Sequence, residues 1–259
     1  MLAANGVGLA VDGISLLQAI SISVRPGRLL AVMGPNGAGK STLLRVLSGD
    51  LPPTGGEITY DNLPLARLSG VQRARCRAVV QQRSSIAYGF SALQTVLIGR
   101  YPHGGHGTLR TDRAIALRAL ERAGAAEFDS RSVETLSGGE FARVVLARAL
   151  AQIDGVAGSR YLLLDEPTVA LDPAHQHDVM RLLSRMAHDE HVGIFVILHD
   201  FNLAARYADE IMLMRAGSVV AQGAPNQVLI PELIAQVFGV EAVVLAHPTE
   251  SRPVIVING

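Results

Sequence analysis

Nine consecutive residues, Gly34–Thr42, have the composition and spacing of a phosphate-binding loop. They follow an apolar run, Leu29–Met33, and lead into a predicted helix. Glycines lack a Cβ, so successive backbone N–H groups can converge on an anion, and the dipole of the following helix favours negative charge there. Lys40 is expected to reach the β- and γ-phosphates, and Ser41 to bind Mg²⁺. The predicted nucleotide-binding residues are Gly34, Pro35, Asn36, Gly37, Ala38, Gly39, Lys40, Ser41 and Thr42.

Two carboxylates, Asp165 and Glu166, follow a second apolar run, Tyr161–Leu164. The carboxyl ends of parallel strands are where open α/β sheets bind their ligands. Asp165 is therefore predicted to hold Mg²⁺, and Glu166 to orient or deprotonate an attacking water. An isolated pair of acids at a strand end is more often a solvated surface feature. The phosphate-binding loop in the same chain favours the catalytic interpretation.

Two further polar residues stand at predicted strand ends. His199 follows the run Gly193–Leu198 and is expected to contact the γ-phosphate and the water. Gln82 comes after the strand Ala78–Val80, and its amide is predicted to complete the Mg²⁺ shell. Each residue alone is more often structural, so both assignments depend on the phosphate-binding loop and the carboxylates.

A second glycine-rich helix start lies about a hundred residues after the first. Its residues are Leu136, Ser137, Gly138, Gly139 and Glu140. Ser137 is a good N-cap, and the two glycines leave backbone donors accessible, which predicts a second anion site. The alternative is a well-capped helix with no ligand. A nucleotidase with one self-contained site has no use for two such sites, so the pair predicts an active site closed by a second copy of the chain.

The composition limits the classes of protein to which the chain can belong. It has 259 residues with 23 basic and 23 acidic side chains, a balance that gives no electrostatic reason to expect nucleic-acid binding. The single Cys76 excludes an internal disulfide framework and fits a reducing compartment. The longest apolar runs have the length of a strand, and the first residues do not form a signal peptide. We expect a cytoplasmic protein that reaches a membrane only through a partner.

The apolar runs and turns predict an α/β protein. The stretch up to Asp61 is rich in strand signals, the middle of the chain favours helices and glycine loops, and buried strands return after it. Leu65–Arg77 is predicted to form one helix, and Asp172 to precede another. Ile211–Met214 and Ser218–Ala221 are predicted to pair as a terminal hairpin.

In chain order, these motifs resemble those of the ATP-binding-cassette ATPases. The corresponding stretches are the Walker A loop Gly34–Thr42, the Q-loop residue Gln82, the signature Leu136–Glu140, the Walker B strand Tyr161–Glu166, the D-loop Ala170–Asp172 and the switch histidine His199. The resemblance implies a P-loop NTPase core sheet of the RecA-like kind, with an N-terminal antiparallel β subdomain and an inserted helical subdomain. In this division 1–82 and 159–259 form the core and the β subdomain, and 83–158 form the helical subdomain within a single ATPase domain, 1–259.

The resemblance also implies how the site works. ATP and Mg²⁺ are the expected cofactors, and two copies pair head to tail. Ser137, Gly138 and Gly139 of one copy then bind the γ-phosphate held by Lys40 of the other, and Asp172 lies across the seam. Glu166 and His199 are the implied catalytic residues. The chain departs from the family in one respect, because neither Val11 nor Asp12 supplies the usual aromatic residue that stacks on adenine. Apolar contact by Val11 is the candidate substitute.

Further stretches resemble the ATPases of bacterial importers for iron chelates, haem and cobalamin. They are Ile98–His103 and His199–Asp209, and the added residues at Ala151–Arg160 together with Leu171–Gln176 favour the haem group. This implies an ATPase on the cytoplasmic face of the inner membrane that energises hemin uptake through two separate permease subunits and, indirectly, a periplasmic binding protein.

Several alternatives stay open or are disfavoured. Ferric-siderophore and cobalamin importers are alternative assignments, since their selectivity resides in other subunits. Soluble cassette ATPases of repair or translation usually carry coiled coils, tandem cassettes or basic surfaces, and the sequence has none of these. Direct haem binding is not expected, because the pairs His103/His106 and His175/His177 have no further ligand.

Overall fold

The fold is given by a computed structural model that describes residues 1–81, 89–104 and 109–258. The strands are β1 Leu2–Val11, β2 Ile14–Val24, β3 Leu29–Met33, β4 Gly55–Tyr60, β5 Leu63–Pro64, β6 Arg77–Val80, β7 Arg160–Asp165, β8 Val192–Ile197, β9 Glu210–Arg215, β10 Ser218–Gly223, β11 Ala242–Ala246 and β12 Pro253–Ile257. The α-helices are α1 Lys40–Ser48, α2 Gly70–Cys76, α3 Ala92–Ile98, α4 Leu109–Arg122, α5 Gly138–Ile153, α6 Pro173–His188, α7 Phe201–Tyr207, α8 Pro225–Val228 and α9 Pro231–Phe238. Gln82, the predicted Mg²⁺ ligand, lies outside the described residues.

Six strands form the central sheet, in the order β10-β9-β3-β8-β7-β6. All neighbouring pairs are parallel except β9 and β10. Parallel strands end at the same edge of the sheet, so the residues that follow β3, β6, β7 and β8 are brought together. This topology places the phosphate-binding loop, the Asp165–Glu166 pair and His199 along one edge.

The central strands are buried on both faces. Side chains alternate across a strand, so β3 sends Leu29, Ala31 and Met33 into one apolar cluster and Leu30 and Val32 into another. The first cluster continues through helices α3 to α7, and the second lies between the sheet, α1 and the N-terminal strands. Burial on both faces explains why these strands read as unbroken apolar runs rather than as alternating patterns.

The N-terminal part forms a separate antiparallel sheet in the order β2-β1-β4-β5. Strand β1 pairs with β2 and β4, with Leu2 opposite Val24 on one side and Tyr60 on the other. Its apolar side chains pack on α1 within the second cluster. The α/β class with an N-terminal antiparallel sheet is confirmed.

Helices α3, α4 and α5 occupy the chain between β6 and β7. Their buried residues, including Val96, Leu120 and Leu150, belong to the same cluster as one face of the central sheet. The boundaries of a helical subdomain at 83 and 158 stay a prediction. No helix within the described ranges combines the length and apolar character needed to span a bilayer.

Two local predictions need correction. The predicted helix Leu65–Arg77 is instead a single 3₁₀ turn, Leu65–Arg67, followed by α2, because Ser69 caps the new helix in a reciprocal pair of hydrogen bonds with Gln72. The hairpin of β9 and β10 is confirmed, but it is not terminal. Strand β9 pairs in parallel with β3, and the chain continues through α8, α9 and a last hairpin of β11 and β12.

Candidate active site

The phosphate-binding loop lies tightly between two other segments of the chain. Gly34 approaches the end of β9 so closely that a Cβ there would stand 2.2 Å from the carbonyl oxygen of Met214. At Gly39, where φ is 96°, a Cβ would stand 3.0 Å from the carbonyl oxygen of Leu16 on β2. Neither position can accept a larger side chain without moving backbone. The glycines thus serve the packing of the loop as well as access to its N–H groups.

A turn outside the motif is hydrogen-bonded to the phosphate-binding loop. Gly217, between β9 and β10, donates its N–H to the carbonyl oxygen of Ala38 at 3.0 Å. Its own carbonyl accepts from the N–H of Gln18 at 2.8 Å, and the Gln18 side chain donates to the carbonyl of Ala216. The turn therefore ties the phosphate-binding loop to β2. Ala216-Gly217 was recognisable in the sequence as a turn, but only the fold shows what it supports.

The loop forms the floor of a cleft of 760 Å³. The lining residues are Ile14, Ser15, Leu16, Gln18, Asn36, Gly37, Ala38, Gly39, Lys40, Ser41, Thr42, Glu166, Ala216 and Gly217. The start of β2 supplies an apolar wall through Ile14, which is 65% exposed. Val11, the substitute expected from the sequence for the missing aromatic residue, is not part of this lining.

Lys40 is the only charged residue of the loop and begins α1. Its ammonium group donates to the carbonyl oxygens of Gly34 and Pro35 at 2.7 and 3.0 Å. Burial lowers the pKa of Lys40, and the carboxylates of Glu166 and Asp165 oppose that shift. The side chain thus holds its positive charge against the start of the phosphate-binding loop.

Asp165, the last residue of β7, has the properties of a cation ligand. Burial raises the pKa of its carboxyl group, while hydrogen bonding to Ser41 and the charge of Lys40 act in the opposite direction. Its Oδ1 is buried and has no hydrogen-bond partner among the residues that the structure describes. A buried carboxylate oxygen with free lone pairs beside a hydroxyl is a donor set that suits Mg²⁺. The residues present therefore fit the predicted ion.

Glu166 and His199 are in direct contact. Oε1 of Glu166 lies 2.5 Å from Nε2 of His199, so the two predicted catalytic residues form one pair. Glu166 has a φ of 52°, a conformation that costs energy for a residue with a side chain and occurs preferentially at functional sites. It borders the phosphate-binding cleft and is 12% exposed at its side chain, against 40% for His199.

The signature residues form the start of α5. Ser137 caps the helix: its Oγ accepts from the N–H of Glu140 at 3.3 Å, and Oε2 of Glu140 accepts from the N–H of Ser137 at 2.6 Å. Gly138 is exposed, and Gly139 packs against the carbonyl of Ala170. Leu136 anchors the segment to the main apolar cluster. The predicted cap of this helix by Ser137 is confirmed, and the binding of an anion by its N–H groups stays a prediction.

The signature borders a second cleft of 410 Å³, which it shares with the D-loop. Asp172 caps α6 through its Oδ1, which accepts from the N–H of His175 at 3.0 Å, and its Oδ2 lies 2.7 Å from the His175 ring. The hydrogen bond from the His175 backbone lowers the pKa of Asp172. Among the described residues, none lines both this cleft and the phosphate-binding cleft. The two predicted anion sites of one chain therefore line different clefts, although Gly138 also borders a third cavity together with Asp165 and Glu166.

The described members of the pairs His103/His106 and His175/His177 have protein partners. Nε2 of His103 lies 2.7 Å from the carbonyl of Gln152, and Nδ1 of His177 lies 2.9 Å from the hydroxyl of Tyr207. His106 is outside the described residues. Within the described ranges no group of three His, Cys, Asp or Glu residues is arranged to hold a metal ion.

Known proteins with related sequences and structures are transporter subunits. The sequence pattern of the ABC transporter family matches residues 17–169. The chain is 46% identical to the hemin import ATP-binding protein HmuV of Burkholderia thailandensis over 99% of both proteins, and 45% identical to that of Deinococcus radiodurans over 95% of this chain and 93% of the relative.

Solved structures give the same picture. A transporter described as of the metal-chelate type, in an inward-facing conformation, is 27% identical with a TM-score of 0.83, covering 100% of this chain and 97% of that one. A bacterial ABC transporter cassette solved as a dimer is also 27% identical, with a TM-score of 0.79, covering 87% of this chain and 99% of that one.

Replacing Gly217 by Ala should weaken nucleotide binding although the residue lies outside the motif. Gly217 has a φ of 78°, and a Cβ would stand 2.6 Å from the carbonyl oxygen of Leu16, so the turn and the loop that it supports must shift. We expect the affinity for a fluorescent ATP analogue to fall by about tenfold. Gly155→Ala is the control, because Gly155 has a φ of 70° but no atom within 4 Å of its Cβ position. Equal affinities for the two variants would contradict the supporting role of the turn.

Proposed function

This chain belongs to the ABC transporter family, and from that premise we propose that it is the ATP-hydrolysing subunit of a bacterial importer whose cargo is hemin. Two observations support the proposal. The contact between Glu166 and His199 beside the phosphate-binding loop supplies the parts of an ATPase. The sequence is 46% identical, over nearly its full length, to a hemin import ATP-binding protein.

The phosphate-binding loop holds the nucleotide in this proposal. The N–H groups of Gly37 to Thr42 and the ammonium of Lys40 bind the phosphates, and the apolar side chain of Ile14 lies along the adenine side of the cleft. Ser41 and Asp165, with Gln82 as the predicted third ligand, hold Mg²⁺. When bound, this ion neutralises charge on the phosphate oxygens.

Glu166 and His199 carry out the chemistry. The Glu166 carboxylate accepts a proton from the attacking water, which it orients toward the γ-phosphate. The His199 ring, 2.5 Å from Oε1, holds that carboxylate in place and presents its exposed edge to the γ-phosphate. The strained backbone of Glu166 supports this role, since such strain is kept where a side chain must be aimed.

The active site is completed by a second copy of the chain. The signature and the phosphate-binding loop of one chain line different clefts, which supports a second copy as the source of the signature at each site. A head-to-tail pair places Ser137, Gly138 and Gly139 of one copy over the γ-phosphate held by Lys40 of the other, with Asp172 at the seam. The related cassette solved as a dimer supports the pairing of two copies.

In this proposal, ATP binding moves the helical subdomain, and this movement is transmitted to the transporter. We propose that 83–158 moves as a unit against 1–82 and 159–259, with Gln82 at the junction. The surface around 84–100 of each copy receives a short helix from one of two permease subunits at the cytoplasmic face of the inner membrane. A periplasmic binding protein is the indirect partner, and nucleic acid is not a partner.

Mixing two inactive variants tests whether the active site is shared. Lys40→Ala disables the phosphate-binding loop, and Gly138→Asp places a carboxylate where the γ-phosphate would bind. The second variant should fold, because a Cβ at Gly138 meets only the Cβ of Ala170 at 3.9 Å and an acid suits the first turn of a helix. A mixed dimer contains one intact site, so ATPase activity should return, reaching about a quarter of the wild-type rate for random pairing.

The control is a mixture of the doubly substituted chain, Lys40→Ala with Gly138→Asp, and wild type at the same total concentration. If the site is shared, only wild-type pairs are active in this mixture, so it should also show about a quarter of the wild-type rate, against about half if each chain held its own complete site. Two single variants that stay inactive when mixed, although each is folded and dimerises, would show that the site lies within one chain.

The cargo is tested by growth of the source bacterium without this gene. Deletion should abolish growth on hemin as the sole iron source and leave growth on ferric salts unchanged. A plasmid carrying the wild-type gene should restore growth, and one carrying Glu166→Gln should not. Loss of growth on a ferric siderophore or of cobalamin uptake, with growth on hemin intact, would assign the alternative cargo instead.

A further inference from the structure

The signature contains an acid at the point where it is proposed to bind a phosphate. Glu140 is the third residue of α5, and its carboxylate accepts from the N–H of Ser137 at 2.6 Å. The backbone bonds of Ser137 lower the pKa of Glu140, so the group is negatively charged at neutral pH. A negative charge beside an anion site opposes anion binding unless another charge offsets it.

Arg131 supplies the offsetting charge. Its Nη1 lies 3.3 Å from Oε1 of Glu140, and its Nη2 donates to the carbonyl of Thr135 at 3.0 Å. The guanidinium also lies 5.3 Å from the centre of the Phe128 ring. The Arg131 side chain is 42% exposed and that of Glu140 is 23% exposed, so the pair is at the surface, where its effect on stability is small.

The backbone of Arg131 is also held in place. Its carbonyl accepts from the N–H of Ala92 at the start of α3, and the neighbouring residue Ser132 forms a β-bridge with Ser91. On the same segment, the carboxylate of Glu134 accepts from the N–H of Gly89. The guanidinium therefore extends from a fixed point toward the signature rather than from a free loop.

We propose that Arg131 is a positioning residue for the signature: it holds the Glu140 carboxylate and neutralises it, so that the start of α5 can accept the γ-phosphate of the partner copy. This inference rests on the proposed shared active site. Glutamine at position 140 would form the same reciprocal cap with Ser137. The distinguishing property of glutamate is its charge, and Arg131 is the residue that contacts its second oxygen.

The experiment measures ATP-driven dimerisation of the full chain carrying Glu166→Gln, which keeps ATP unhydrolysed. Light scattering gives the ATP concentration at which half of the chains are dimeric. Arg131→Ala should raise this concentration by about two- to fivefold, as expected for the loss of a surface ion pair. Glu140→Gln should lower it, because a negative charge beside the phosphate is removed. Arg131→Ala with Glu140→Gln should return it close to the value for Glu140→Gln.

Two further variants exclude structural explanations. Arg131→Gln removes the charge but keeps a donor for the Thr135 carbonyl, and it should shift the half-maximal concentration as Arg131→Ala does. Arg118→Ala breaks a comparable surface ion pair, in which Arg118 lies 3.2 Å from Asp154. Asp154 follows the other end of α5 from the signature, so this variant should leave the half-maximal ATP concentration unchanged.

The outcomes separate this inference from the proposed function. If the parent Glu166→Gln chain does not dimerise with ATP, the shared site itself is wrong. If it dimerises but Arg131→Ala has no effect, or if Glu140→Gln fails to reverse the effect, the neutralising role of Arg131 is overturned. High salt should reduce both the rise in half-maximal ATP concentration caused by Arg131→Ala and its reversal by Glu140→Gln, because salt screens charges at the surface.

Discussion

The position of β3 is the constraint on which the rest of the site depends. The strand is hydrogen-bonded to β8 and β9, and its five residues are buried on both faces. The loop that follows β3 is therefore fixed from three directions: by the sheet, by β2 at Leu16 and by the turn at Gly217. A phosphate-binding loop held so firmly keeps its N–H groups aimed without reorganising when a nucleotide arrives.

Three groups around this loop raise the free energy of the folded protein when no ligand is bound. Lys40 is desolvated, Oδ1 of Asp165 lacks a partner among the described residues, and Glu166 has a left-handed backbone. The first two costs are reduced once phosphate oxygens and a cation are bound, since opposite charges then replace the missing water. The desolvation of Lys40 and Asp165, which destabilises the site without ligand, therefore favours the nucleotide, and in the proposed mechanism a second copy of the chain contributes the signature.

Much of the site could be predicted from the sequence, because its residues follow buried strands that are recognisable as apolar runs. The runs Leu29–Met33 and Tyr161–Leu164 locate the loop and the carboxylates, and parallel pairing brings them together. The wall at Ile14 and the contact of the Gly217 turn with the loop could not be predicted, since both depend on the register of β2 and the parallel pairing of β9 with β3. The division of the predicted helix Leu65–Arg77 could not be predicted either, because it depends on the local cap that Ser69 forms with Gln72.

The central claim is that one active site needs two chains, and the dependence of ATPase rate on protein concentration tests it most directly. At saturating ATP, with the chain diluted below its dimerisation constant, the rate per chain should fall in proportion to concentration, because two copies must meet for each turnover. A rate per chain that stays constant on dilution, while light scattering shows monomers, would contradict the account.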